Sequence, residues 1–219
     1  IKYQNGGDVD EVLRWKGITL ERQGQAEAAR KDYRRMGNVG LGHWYAAETY
    51  HGQYAKAKNA PAAVNEYTEI RTAFYSMEWA AMAQWRIAEL HSGMNNWTEA
   101  AEAFRQLVKR FAALTIDKNP YAEYQRWFLG VKERHYGPAG QLEAGRVLRA
   151  AKQYDDAEME YRIVGRKWPK SQEAPFAAYE IALCYEGRED PDMAIKVMKS
   201  VLRRYPKTAA ASDAHTRLE

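Results

Sequence analysis

Five alanines, Ala29, Ala63, Ala100, Ala157 and Ala194, head the same local pattern. Four residues after each comes a ring or a methionine: Tyr33, Tyr67, Phe104, Tyr161, Met198. Seven residues after comes an apolar side chain: Met36, Ile70, Leu107, Val164, Val201. Twelve residues before stands a very small residue in four of the five, Gly17, Ala88, Gly145 and Ala182, with His51 the exception. The anchors lie 34, 37, 57 and 37 residues apart. Offsets of zero, +4 and +7 share one face of a helix, and the small residue belongs to an earlier helix across a short turn. A small residue there lets two helices approach, and the ring after each anchor fills the space beside it. Each unit is therefore a helical hairpin, which buries its apolar face only by stacking on its neighbours. The expected fold class is all-α, a solenoid of about five hairpins over 8–36, 43–74, 78–111, 140–168 and 174–205, with a further helix starting at 209–219.

This pattern resembles the tetratricopeptide repeat, which has a small residue in its first helix, then alanine, an aromatic and an apolar residue in its second, then a closing proline. Gly17, Ala29, Tyr33 and Met36 fit it, as do Ala182, Ala194 and Val201 with Pro206, and Pro169 closes the fourth unit. The second and third units have no closing proline. The resemblance covers about residues 8–219 and implies one right-handed superhelical solenoid over 1–219. Lys167-Trp168-Pro169-Lys170-Ser171 returns as Arg204-Tyr205-Pro206-Lys207-Thr208. That closing unit resembles the variant found in bacterial envelope proteins such as the barrel-assembly lipoprotein and the periplasmic Tol–Pal coordinator. It implies a periplasmic or outer-membrane-associated protein, with a cytoplasmic one as the alternative.

Local signals set the boundaries. Asp8 with Glu11 starts a helix, and Gln23-Gly24-Gln25 turns it. Gly37, Gly40 and Gly42 read as a loose link before a helix over about 43–56. Pro61 suits a first helical turn. Gly93-Met94-Asn95-Asn96 turns the third hairpin, and Asp190-Pro191 starts the last full helix. The 57-residue interval holds an insertion within about 112–139. Asn119-Pro120 reads as its start and Gly137-Pro138 as a firm stop. Between them an inserted helix over about 120–135 carries Tyr121, Tyr124 and Phe128 on one face, with Trp127 beside it. These aromatics either pack the helix onto the stack or build a partner-specific surface.

The rest of the composition excludes more than it proposes. No stretch of 18 apolar residues occurs, so no membrane span is expected. The chain begins at Ile1 and ends within a helical pattern, so it reads as a fragment whose leader or lipid anchor could be missing. The one cysteine, Cys184, allows no internal disulfide and no thiolate cluster, and reads as a buried structural thiol. A net charge of +4 is mild for a nucleic-acid binder, and none is expected as a partner. The basic pairs Lys109-Arg110, Arg166-Lys167 and Arg203-Arg204 fall in last turns of second helices, where cations offset the helix dipole. They alternatively form a positive ridge for an acidic partner or an anionic surface. The histidines His43, His51, His91, His135 and His215 show no metal-ligand spacing, and no phosphate loop, dinucleotide fingerprint or nucleophile elbow occurs. The chain is expected to be no enzyme and to hold no cofactor or metal.

Binding remains. In the resembled family first helices line an inner groove, which by spacing puts Tyr45, Glu48, Met82, Trp85, Arg146, Arg149, Phe176 and Tyr179 on it. Tryptophan, tyrosine and arginine are frequent interface anchors. Each aromatic here could equally pack against the next hairpin. The lining offers neither Lys nor Asn at those offsets, which argues against the chaperone-tail clamp known in the family. The expected function is a protein-interaction scaffold holding a peptide or protein partner, in a bacterial envelope complex. The alternatives are a structural subunit of a larger assembly, docking through its convex face, inserted helix or open ends, with oligomers possible through those ends, and an adaptor region of an enzyme or nucleic-acid protein.

Overall fold

The computed structural model describes residues 6–51, 58–73, 77–115 and 135–219. Among the described residues lie eleven α-helices, in two compact units divided between Met94 and Asn95. The first unit holds α1 (Gly6–Arg22), α2 (Ala26–Tyr33), α3 (Val39–His51), α4 (Ala60–Ala73) and α5 (Met77–Gly93). The second holds α6 (Trp97–Phe111), α7 (Tyr136–Ala150), α8 (Tyr154–Lys167), α9 (Glu173–Gly187), α10 (Pro191–Arg204) and α11 (Ala209–Leu218). Thr115 and His135 form an isolated antiparallel bridge; no β-strand occurs among the described residues. The fold is all-α. The expected third hairpin has its helices in different units.

Within each unit every helix packs on the next, and in the second unit α9 also touches α7 and α11. Short described turns, as between α1 and α2, α7 and α8, and α9 and α10, make the joined helices antiparallel. The repeat residues are the core. Ala29, Ala63, Ala100 and Ala157 are fully buried and Ala194 nearly so, with all five residues at +4 and all five at +7 buried as well. Each such large side chain contributes roughly 1.5–3 kcal/mol of transfer free energy. At −12, Ala88 and Ala182 are fully buried, and Gly17 and Gly145 lie against the rings of Tyr33 and Tyr161. His51 has a described backbone only.

The structure revises two boundaries. α3 starts at Val39, so Gly40 and Gly42 are helical residues and not a link. Asn38 caps it, its side-chain oxygen accepting from the Leu41 amide at 3.1 Å, while Asp10 accepts from the Gly37 and Asn38 amides. Gly42 is needed for packing: a Cβ there would press on the Tyr33 carbonyl. Likewise Gly137-Pro138 is no stop but the first turn of α7, where proline's missing N–H goes unneeded. The backbone leaves for residues 116–134 and returns at one place, because the Tyr136 amide donates to the Leu114 carbonyl at 3.1 Å. The inserted helix expected over 120–135, with Tyr121, Tyr124, Trp127 and Phe128, lies outside the described residues except for His135. Thr208 caps α11, accepting from the Ala211 amide at 3.3 Å, and Ala210 and Ala214 bury against Met198 and Val201.

Candidate interaction surface

A phenol buried in an apolar stack needs a hydrogen-bond acceptor, since an unmet buried donor costs about 1–3 kcal/mol. The structure gives each of the three buried repeat tyrosines a glutamate, on its own hairpin for Tyr33 and Tyr67 and on the next for Tyr161. Tyr33 donates to Glu21 at 2.6 Å, Tyr67 to Glu48 at 2.9 Å and Tyr161 to Glu180 at 3.4 Å, every acceptor lying on a first helix. Burial pushes the Glu21 carboxyl above its ordinary range despite the Tyr33 hydrogen bond. The carboxylates of Glu48 and Glu180 then recruit arginines, which make the polar part of the first-helix face.

In the second unit Glu180, itself buried, accepts from Arg146 Nε at 2.9 Å and Arg149 Nε at 2.8 Å. Arg146 also donates to Glu143 at 2.8 Å. The side chains of Arg146 and Arg149 remain 37% and 35% exposed, so their outer edges face solvent. Burial lowers both guanidinium pKa values, but the neighbouring carboxylates outweigh it and raise them. On α9, which carries Glu180, Phe176 and Tyr179 are half-buried against Ala182, Met198 and Val201. Guanidinium edges can meet a partner's carboxylate or carbonyl, and half-buried rings its apolar side chains.

The first unit places its expected groove residues differently. Glu48 sits half-buried between the Tyr67 hydroxyl and Arg86, the latter at 3.3 Å. Tyr45, Met82 and Trp85 are only 7%, 5% and 4% exposed. Tyr45 stacks on Tyr33 at 5.1 Å between ring centroids, and Trp85 donates Nε1 to Glu89 at 2.8 Å. These three are packed residues of their unit; Glu48, Arg146, Arg149, Phe176 and Tyr179 keep exposed surface.

A second polar pattern, missed from sequence, joins second helices. In the first unit Glu66 is buried between Arg34 of the preceding second helix and His43 Nδ1 at 2.9 Å. In the second, Glu160 is buried between Arg105 Nε at 2.7 Å and Gln141. Arg34 and Arg105 stand at +5 in their repeats, and Glu66 and Glu160 at +3 in the next. Burial pushes the Glu66 carboxyl up, but hydrogen bonds from His43 and Arg34 win and hold it below its ordinary range. Glu158 behaves alike, held down by Arg188 and Arg162 against its burial.

The last-turn cations are placed as their spacing implies: Arg110, Lys167 and Arg204 stack on the following Phe111, Trp168 and Tyr205 at 5.2, 5.9 and 5.3 Å. Among the described residues no three His, Cys, Asp or Glu side chains are placed to hold a metal ion. No described helix is long and apolar enough to cross a membrane. Cys184 is fully buried, with its thiol pushed up to about 12 by burial.

Stacked helical hairpins with small-on-aromatic packing and a polar first-helix face define an all-α helical-repeat fold similar to that of tetratricopeptide-repeat proteins. The tetratricopeptide repeat family model matches residues 82–113 and 176–208. The crystal structure of the MamA protein is similar, with a TM-score of 0.56 and 16% identity over 92% of this chain and 94% of that one. A Podosopora anserina putative kinesin light chain with nearly identical repeats has a TM-score of 0.56 and 15% identity over 94% of this chain and 99% of that one. A signal transduction ATPase with a tetratricopeptide repeat sensor, from Pyrococcus horikoshii, has a TM-score of 0.52 and 12% identity over 95% of this chain but 32% of that one. No curated protein sequence matches significantly. At these identities the likeness shows the fold alone.

Proposed function

We propose that the chain is a non-catalytic interaction scaffold that holds a peptide or protein partner on its first-helix face. The observation that carries this is the Arg146–Arg149 pair, fixed on the buried Glu180 carboxylate yet a third exposed. Such a pair is pre-organised: its positions are set before a partner arrives, so less side-chain entropy is lost on binding. Half-buried Phe176 and Tyr179, on the same helix as Glu180, supply apolar surface. The repeated aromatic-Pro-Lys-Ser/Thr unit closing the last two hairpins is the support for a bacterial envelope complex and a periplasmic or outer-membrane-associated location.

The test is capture from a lysate of the source cells, comparing the chain with an Arg146→Gln/Arg149→Gln variant. Glutamine keeps a donor for Glu180 and removes the charge. Loss of a captured partner at an unchanged melting temperature supports the face; a partner held equally by both sinks it. A second reading, docking as a subunit of a larger assembly, is favoured by one observation. On α1, Val9, Val12 and Trp15 are 41%, 49% and 53% exposed along one face. Sedimentation of the chain beside a Val12→Asp variant decides it: self-association lost on substitution supports that reading, and a monomer in both excludes self-docking through α1.

A further inference from the structure

We propose that the cleft between α8 and α10 takes an acidic, amphipathic peptide segment of a partner protein, supplying the carboxylate that the Arg34 and Arg105 seams hold at +3 and this seam lacks. The inference rests on the scaffold reading above but uses a different set of residues.

The seam follows from the repeat register. In the first unit Arg34 at +5 meets Glu66 at +3 of the next repeat, and in the second Arg105 meets Glu160 in the same register. The residue 16 before the Ala157 anchor, Gln141, completes the latter group. One repeat further on, the three equivalent positions are Arg162, Val197 and Ala178. The arginine is kept and the carboxylate and amide are replaced by apolar groups. Arg162 turns back along its own helix to Glu158. Where the Arg–Glu–Gln group would sit, a cleft opens, lined by Arg162, Val197 and Ala178 among others, with two contiguous lobes of about 370 and 310 Å³. That volume suits a few side chains of a bound segment.

The lining dictates the occupant's chemistry. Ala178, Ile181 and Val197 give an aliphatic floor, and the rim carries Arg162, Arg166, Lys196 and Arg204. No Asp or Glu is among the described residues lining it. Arg166 and Lys196 form no ion pair among the described residues, and Arg204 only stacks on Tyr205. Tyr205 lines both lobes, and its hydroxyl is buried with no hydrogen-bond partner among the described residues. An amphipathic segment would set apolar side chains on the floor and carboxylates against the rim, as Glu160 is set against Arg105. A recessed aliphatic floor accepts protruding side chains. It does not present the protruding apolar element that inserts into a lipid surface, nor the row of aromatic faces on which nucleic-acid bases stack.

The probe is a fluorescein-labelled helical 14-residue peptide with leucines at i, i+3, i+4 and i+7 and glutamates opposite, followed by fluorescence anisotropy with the full chain. Expected is saturable binding that weakens with salt, and weakens at least about tenfold when the glutamates become glutamines. Val197→Glu installs the carboxylate found in the Arg34 and Arg105 seams and abolishes binding without lowering the melting temperature. Arg166→Glu/Arg204→Glu, both at exposed positions, weakens it at least about tenfold and keeps the test open should Val197→Glu misfold. Arg146→Gln/Arg149→Gln leaves it unchanged, so the cleft and the first-helix face fail separately. The proposal is overturned by absent binding, by equal binding of the glutamine peptide or of the cleft variants, or by tighter binding of phosphatidylglycerol vesicles or polyuridylate through the same cations.

Discussion

Gly145 of α7 lies under the ring of Tyr161 of α8 so closely that a Cβ at position 145 would fall within 3.0 Å of three ring atoms. Gly17 and Tyr33 repeat the relationship in the first unit. The small residue twelve before the anchor and the ring four after it are thus one packing device, the glycine removing the atom that the ring replaces. Where the residue at +4 is Met198, the partner at −12, Ala182, is alanine; Tyr33 and Tyr161 both have glycine there.

Gly145→Ala and Gly17→Ala are therefore expected to destabilise by about 1–3 kcal/mol through overpacking, despite alanine's better helix propensity. Gly165, also helical, has nothing within 4 Å of a built Cβ. There propensity acts alone, and Gly165→Ala should stabilise by roughly 0.5–1 kcal/mol. Urea titrations of the three variants check the signs, and a stable Gly145→Ala would show that the ring can move aside.

The turns carry a second repeat feature. Gly24, Asn95, Lys152 and Glu189 each stand five before an anchor, and all four have positive φ, near 81°, 60°, 60° and 61°. That backbone region suits glycine and is tolerated by asparagine, whereas a lysine or glutamate there is strained by about 1–2 kcal/mol. Lys152→Gly and Glu189→Gly should each raise stability by roughly 0.5–1 kcal/mol after glycine's larger unfolded-state entropy is counted. Gly24→Ala should lower it by about 1 kcal/mol or more. Thermal melts of the single variants separate these outcomes, and a loss of stability in both glycine variants would contradict the strain.

What could be read from sequence divides along one physical line. Packing positions were legible because the helix period fixes which residues share a face, and only small or large side chains fit: Ala157, Tyr161 and Val164 identify themselves. The Arg–Glu seams were not, because their partners are separated by the full repeat plus any insertion, 32 residues for Arg34–Glu66 and 55 for Arg105–Glu160. A signal existed in the acids at +3, Asp32, Glu66 and Glu160, which a purely solvent-facing position would not need to repeat. Period also cannot say what covers a first-helix face. Trp85 and Arg146 share the expected groove register, yet Trp85 is buried and Arg146 is not. Gly137-Pro138 misled for a simpler reason, since proline suits a helix's first turn as well as a break.

The carboxylates of the seams predict an acid limb. Glu66 and Glu158 are held below the ordinary carboxylate range in the folded chain, by His43 and Arg34 and by Arg188 and Arg162, each against its own burial. Their stabilisation is complete above the unfolded value of about 4.3 and is lost as pH falls through the lower folded value. Glu21, raised by burial, has the opposite sign and partly offsets this on the way down. Glu158→Gln should therefore destabilise more at pH 7 than at pH 3, because its cost shrinks as pH falls below the ordinary carboxylate value. Equal destabilisation at both pH values, measured by urea unfolding, would assign the effect to packing rather than charge.

Cys184 closes the set with a kinetic test of burial. Its thiol is pushed up to about 12 by loss of hydration, with Arg149 and Arg188 opposing weakly. Only the thiolate attacks a disulfide reagent, and at pH 8 about one molecule in ten thousand would carry it at that pKa. Complete burial adds a barrier of access, so reaction requires local opening of α9. The native chain is expected to react with an aromatic disulfide reagent far more slowly than the same chain in urea. Stabilising the turn with Glu189→Gly, two residues beyond the end of α9, should slow the native reaction further. Rapid native labelling, unchanged by that substitution, would mean that the helix opens without involving its turn.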